Sequence, residues 1–235
     1  NATPYIAMTE LQWIILAADA AITLFASLNS LALGRLGRMK SQKRQPGIAY
    51  PPLTVVVTAH NQALELKKHL PALLLQDYPA DFEVVVVDMA SSDETIPMLE
   101  KMEEEYPCLR YTFTPLTARD ISLERLALTL GIRSASYSWT ILLHAGCRPA
   151  SPYWLRRMGD AMLTSNDTRI VVAPVCPDQS DKADEYATLW RELLWLSYAA
   201  RHGAYRTGEC NVAYDRNLFM QHHGFASHSL LAGGA

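Results

Sequence analysis

Leu53–Thr58 (LTVVVT) and Phe82–Val87 (FEVVVV) decide the fold. Both are short, unbroken, β-branched apolar runs bounded by polar or turn residues. A strand with one wet face alternates, whereas a run without alternation must be covered on both faces, as in a parallel sheet between helices. Between them, Leu64–Gln76 sets Leu64, Leu70, Leu73 and Leu74 at helical spacing. Crossovers this short require parallel neighbours joined through a helix.

The pattern continues outward. Ser91, Ser92 and Asp93 supply an N-cap for a helix over Glu94–Tyr106. A weaker strand over Leu109–Thr114, a helix over Leu123–Ser134 and a strand over Trp139–Leu143 that ends at His144 come next. Ser151-Pro152 opens a helix to about Leu163, and Arg169–Val175 reads as a fifth strand. The expected class is therefore α/β, a right-handed, mostly parallel sheet with flanking helices. Upstream, QPGIAYPP (45–52) carries three prolines and a glycine and reads as a linker. The division expected is a helix with a basic flank (1–44), the linker (45–52) and one α/β domain (53–235).

Composition excludes several classes. Apolar residues make up 49% and charged residues 19% of 235, enough for a large core and too apolar for disorder. Lys plus Arg (21) against Asp plus Glu (24) gives −3, which does not suggest a nucleic-acid binder. The charge is uneven: Arg35, Arg38, Lys40, Lys43 and Arg44 form a block without acids. The four cysteines (108, 147, 176, 210) have no CxxC or CxxxxC spacing, so neither a zinc knuckle nor a redox dithiol is written in the sequence. Reduced, separate thiols are expected.

From Leu11 to Gly34 the chain has one charge, Asp19. Ten Leu, Ile and Phe residues return roughly 3–6 kcal/mol on insertion against about 2.5–3.5 for the aspartate, which modestly favours a membrane-spanning helix. The basic block after it would face the cytosol by the positive-inside rule, placing the α/β domain on the cytosolic side of the inner membrane. A signal peptide would carry its positive charges first. The alternative is a helix lying on a membrane surface or a partner, with Gln12, Asp19 and Asn29 on its wet face.

Ligands of such sheets bind beyond the carboxyl ends of the strands. At those ends the chain resembles the family 2 glycosyltransferases, inverting enzymes of the GT-A fold. The resemblance spans Leu53–Phe225 and rests on four ordered blocks: Thr58-Ala59-His60-Asn61, Leu74-Leu75-Gln76-Asp77-Tyr78-Pro79, Val87-Asp88-Met89-Ala90-Ser91-Ser92-Asp93-Glu94-Thr95 and Ala127-Leu128-Thr129-Leu130-Gly131-Ile132. It implies a UDP- or GDP-linked sugar donor, with Ala59 and Asn61 bordering the nucleoside and Asp88 accepting hydrogen bonds from base or ribose. Arg125 is the candidate for diphosphate or base, and Ser91 joins the same set. Asn61 and Ser91 have a structural alternative as helix caps. No Gly-rich phosphate loop follows the first strand, which counts against dinucleotide oxidoreductases and P-loop NTPases.

Two departures stand out. Active relatives end the fourth strand in D-x-D, whose hard oxygens hold Mg²⁺ or Mn²⁺ on the donor diphosphate. Here that stretch is His144-Ala145-Gly146, with Arg148 beyond it as a guanidinium suited to phosphate. His144 either ligates a divalent ion in place of an acid or is structural. The resemblance also implies an acidic pair containing the general base, expected beyond Ala235; Glu209 is an acceptor candidate, and His222, His223 and His228 read as surface. Asp184–Arg201 carries Tyr186, Leu189, Trp190, Leu193, Leu194 and Tyr198 at helical spacing, as core or as an interfacial face. The expectation is a membrane-anchored glycosyltransferase acting on a saccharide or lipid-linked acceptor. The alternative is a catalytically inactive nucleotide-sugar-binding or scaffolding protein.

Overall fold

The protein is described from a computed structural model over residues 10–36, 47–115, 122–175, 182–202, 210–222 and 224. Arg38, Lys40, Lys43, Arg44, Cys176, Glu209, His223, His228 and the segment after Gly224 lie outside the described residues. In chain order the elements are α1 (Glu10–Leu36), β1 (Leu53–Ala59), α2 (Ala63–Leu74), β2 (Phe82–Asp88), α3 (Thr95–Glu105), β3 (Leu109–Phe113) and α4 (Leu123–Ser134). They continue with β4 (Trp139–His144), α5 (Trp154–Met162), β5 (Ile170–Val172), α6 (Lys182–His202), β6 (Val212–Asp215) and α7 (Arg216–Gln221).

The chain divides into two compact units. One comprises residues 42–175 and 206–235 and holds the sheet; the other comprises residues 1–41 and 176–205. The sheet order is β3-β2-β1-β4-β6-β5. Strands β1 to β4 are parallel, as their unbroken apolar runs require, and β6 enters antiparallel between β4 and β5. Every residue of β1 is buried.

Alternation along these strands feeds two cores. Val55, Val57, Val84, Val86, Ile141 and Leu143 face one way, where Leu66, Leu70, Leu73, Leu99, Leu155 and Met158 of α2, α3 and α5 cover them. Val56, Val85, Val87 and Leu142 face the other way, under Ala127, Leu128 and Ile132 of α4. Helix α4 lies close to the sheet because Gly131 has no side chain; a Cβ there would stand 2.3 Å from Val56 Cγ1. Leu64, expected on the inner face of α2, is exposed, and Leu66 takes that place.

Two further boundaries and one face differ from expectation. Ser151 does not cap α5 directly: its hydroxyl accepts from Tyr153 N at 3.3 Å and closes a turn, so the helix starts at Trp154. The fifth strand keeps only three residues, at the sheet edge. The stripe on α6 is not core: Tyr186 is 66% exposed and Tyr198 51%, and the ring contact is local, Tyr186 stacked on Trp190 at 6.2 Å.

In the other unit α1 packs against α6. Trp13, Ile14, Ile15, Leu16, Ile22, Leu24, Phe25 and Leu28 are all more than half exposed. A helix does form where a membrane span is expected. Among the described residues, however, no helix is long and apolar enough to cross a membrane. The spanning reading is therefore corrected. Asp19, Thr23 and Ser27 interrupt the apolar surface of α1, and Ser27 Oγ turns back to donate to Thr23 O at 2.7 Å.

Candidate functional site

The carboxyl ends of β1, β2 and β4 lie side by side, with Ala59 opposite Asp88 and Thr58 opposite His144. Of the residues expected at the site, Ala59, Asn61, Asp88 and Ser91 come together here. The loops after β1 and β2 are laced to each other. Met89 N donates to Ala59 O at 2.8 Å, Asn61 N to Ser91 Oγ at 2.8 Å and Ser92 N to Asn61 Oδ1 at 2.7 Å. Asp93 continues the lacing, accepting from Ala63 N at 3.2 Å and from Thr95 Oγ1 at 2.5 Å; the Thr95 hydroxyl above all holds its carboxyl below the usual range.

Asn61 and Ser91 are thus not helix caps. They pin one loop to the other, and Asn61 spends its side-chain oxygen on that task. Asp88 differs. It is 2% exposed, its Oδ2 accepts from Ser91 N at 3.0 Å, and its Oδ1 is buried without a hydrogen-bond partner. A buried carboxylate oxygen left unpaired costs about 1–3 kcal/mol or more, so such a group is an acceptor held ready for a donor. Thr114 Oγ1, at the end of β3 and also buried, is in the same condition, and Thr114 N donates to Asp88 O at 2.9 Å.

The backbone is strained at this edge. Asn61 (φ 52°), Ala90 (φ 55°) and Asn211 (φ 60°) occupy the left-handed region that disfavours side chains. They sit after β1, after β2 and just before the antiparallel β6. All three border the carboxyl ends of β1, β2 and β4. Such residues cost on the order of 1–3 kcal/mol each and gather where geometry serves a ligand.

His144 is placed at the end of β4, but both its ring nitrogens face protein groups. Nδ1 is 3.0 Å from Thr58 Oγ1, and Nε2 is 3.7 Å from the Glu124 carboxylate in the first turn of α4. Among the described residues no group of three His, Cys, Asp or Glu side chains could hold a metal ion. The donor set at the D-x-D position is one engaged imidazole, an alanine and a glycine. It does not fit a hard divalent cation that wants several oxygens. Arg148 is exposed on the turn after β4. Arg125 is 4% exposed within α4, among the residues that pack on the sheet.

Sequence reasoning missed β6 and the pair it creates. The antiparallel register sets Val212 opposite Leu142, and Asn211 N donates to Leu142 O at 2.8 Å, which carries Cys210 alongside the end of β4. The turn after β4 folds Cys147 back, its N–H donating to His144 O at 2.8 Å. The Cys147 thiol then meets Cys210, whose hydrogen bond pulls it down to about 6, assisted by the imidazole of His144. Among the described residues, Cys108, Cys147 and Cys210 are in no disulfide.

The sequence matches the description Glycosyl transferase family 2 over residues 54–227. The chain belongs to that family. No functionally curated protein matches it. Among solved structures it is similar to the mannosyltransferase PcManGT from Pyrobaculum calidifontis, in complex with GDP-Man and Mn²⁺, at TM-score 0.65 and 22% identity over 91% of this chain and 58% of that one. It is also similar to S. aureus TarS, at TM-score 0.52 and 14% identity over 73% and 49%. TarS in complex with UDP-GlcNAc aligns at TM-score 0.51 and 17% identity, over 73% and 47%. The likeness fixes the fold as GT-A, and the chain spans about half the length of these proteins.

Proposed function

We propose that this family 2 domain binds a nucleotide-sugar donor across the ends of β1 and β2, with Asp88 as the acceptor for the nucleoside. The unpartnered, buried Asp88 Oδ1 carries the reading. A ribose hydroxyl or a base N–H satisfies it and converts its desolvation cost into binding energy. Arg148 and Arg125 are the cations proposed for the diphosphate, since a guanidinium offers phosphate two parallel N–H donors. The solved structures with GDP-Man and with UDP-GlcNAc support the donor class.

The reaction proposed is transfer of the sugar to a hydroxyl of a saccharide or lipid-linked acceptor with inversion. The acceptor oxygen bonds to the anomeric carbon as the carbon–oxygen bond to the diphosphate breaks. The nucleoside diphosphate leaves with the electron pair, and the acceptor proton goes to a base. PcManGT was solved with Mn²⁺. The described residues do not fit that ion. The same observation favours a second reading, a domain that binds the donor without transferring it.

We further propose that α1 associates with the cytosolic face of a membrane, its exposed apolar side chains meeting lipid and the basic residues between 35 and 44 meeting anionic headgroups. Sedimentation with phosphatidylglycerol vesicles, weakening as salt rises, is the expected result; indifference to vesicles overturns it.

The deciding experiment is calorimetric titration of UDP and GDP into the full chain and its Asp88→Asn variant, with and without Mn²⁺. Binding of one nucleotide by the wild type, indifferent to Mn²⁺ and lost in the variant, supports the donor site. Equal binding by both proteins, or by neither, overturns it. A strict need for Mn²⁺ overturns the metal-free account, and turnover with a labelled donor separates the transferase from the binding protein.

A further inference from the structure

Phe113 closes β3 with 65% of its surface exposed, whereas the other large apolar residues of β1 to β4 are buried or half-buried. A single exposed apolar side chain is ordinary; the place of this one is not. The parallel register sets Phe113 directly opposite Asp88. Paired residues of parallel neighbours project from the same face of a sheet. Leu109 and Tyr111, the two preceding positions of that alternation, pack into the core beneath α2, α3 and α5. Phe113 continues their row on the face that Asp88 shares, and there its ring meets solvent. The next residue, Thr114, is 2% exposed, and its N–H donates to Asp88 O at 2.9 Å, which fixes the end of β3 to that of β2. Its Oγ1, like Asp88 Oδ1, is buried without a partner. The ends of these two strands thus hold two unsatisfied polar atoms and one uncovered aromatic ring.

We propose that Phe113 stacks on the nucleobase of the donor, which makes the end of β3 a wall of the nucleotide site and Phe113 a determinant of its affinity. The inference rests on the reading of Asp88 as the nucleoside's acceptor and adds which part of the nucleoside is met there. A nucleobase is a flat ring with N–H groups on its edge. The edge suits the unpaired carboxylate oxygen, and the face suits the phenyl ring. A ribose offers hydroxyls but no flat apolar face. The dimensions agree. Neighbouring strands lie about 4.8 Å apart, and offset-stacked rings have centroids about 4.5–7 Å apart. One base can therefore present its edge to Asp88 while its face lies against Phe113. Every base has a π-face, so the ring strengthens uridine and guanosine nucleotides alike. The choice between them falls to the polar groups at the base edge.

The test is calorimetric titration of UDP and GDP into the full chain and its Phe113→Ala, Phe113→Leu, Phe113→Tyr and Asp88→Asn variants, each checked for folding by circular dichroism. For the nucleotide that the wild type binds, Phe113→Ala should weaken binding about 5- to 150-fold, the range of one base–aromatic stack. Leucine, apolar but not aromatic, should recover little of that loss, and tyrosine, which keeps the ring, should restore most of it. Wild-type affinity in Phe113→Ala, with binding lost in Asp88→Asn, overturns the stacking role and leaves the donor site standing. Full recovery by leucine does the same, and so does a tyrosine variant as weak as the alanine one. Unchanged binding in Asp88→Asn, or none by the wild type, overturns the donor reading and this inference with it. The leucine and tyrosine variants decide the matter even where the alanine one fails to fold.

Discussion

Strand β2 carries a buried carboxylate at each end, and the two are opposites. Glu83, at its start, is saturated: Thr54 Oγ1 (2.8 Å) and Ser136 N (2.6 Å) donate to one oxygen, Ser136 Oγ (3.0 Å) and Arg110 Nη1 (3.1 Å) to the other. Asp88, at its end, has one oxygen held and one orphaned. The cysteines repeat the contrast. Burial pushes the Cys108 thiol up just before β3, at the starting edge, while Cys147 beyond β4 is pulled down to about 6. Burial does not tell the two carboxylates of β2 apart; their hydrogen bonding does.

The contrast can be broken at either edge. Glu83→Ala should have the largest effect, because it leaves Thr54 Oγ1, Ser136 N and Ser136 Oγ without their acceptor. A loss of about 2–4 kcal/mol in urea unfolding, with nucleotide affinity of the folded fraction unchanged, is expected. Asp88→Asn should do the reverse: nucleotide affinity falls about 10- to 150-fold by calorimetry, while the unfolding midpoint barely moves. Equal damage to stability from both substitutions would abolish the distinction.

Between the edges, Gly131→Ala tests packing alone. Overpacking against Val56 should cost about 1–3 kcal/mol of stability, less whatever helix propensity returns, with the thiol contact intact. The smallest effect concerns the cysteines. With its pKa near 6, Cys147 is mostly thiolate at pH 7, whereas a thiol at 9 is about 1% so. Its lower intrinsic nucleophilicity cuts that advantage, leaving alkylation about 4-fold faster than an ordinary thiol. As the pH rises its rate should level off above about 6, while that of Cys108 keeps climbing past 9. The native protein stabilises the thiolate of Cys147. That contribution is complete above the ordinary thiol pKa and is lost as the pH falls through about 6.

Much of this was legible in the residues. Unbroken valine runs announced β1 and β2, and the span of α4 matched its helical pattern to the residue. The strand-end positions Ala59, Asp88 and His144 followed from the rule that ligands meet the carboxyl ends of strands. What stayed hidden depended on pairing partners. Four residues, Val212–Asp215, are too short for periodicity to identify as a strand, and only their insertion beside β4 joins Cys147 to Cys210. The role of Glu83 was equally silent, because its donors come from β1, the start of β3 and the turn before β4. Asn61 looked like a cap because asparagine caps helices, yet its partner is a loop 31 residues away.

The discontinuous unit imposes an order on synthesis. Helix α1 leaves the ribosome well before α6, the helix it packs against, since 145 residues separate Leu36 from Lys182. At roughly 5–20 residues per second that is a wait on the order of ten to thirty seconds. During it, the sheet can assemble β1 to β4, while β5 must idle until β6 arrives to pair with it. The nascent chain therefore holds an apolar helix without its packing partner throughout the period when the sheet unit takes shape. Whatever shelters Trp13 to Leu28 in that interval, lipid or chaperone, meets the protein before its fold is complete.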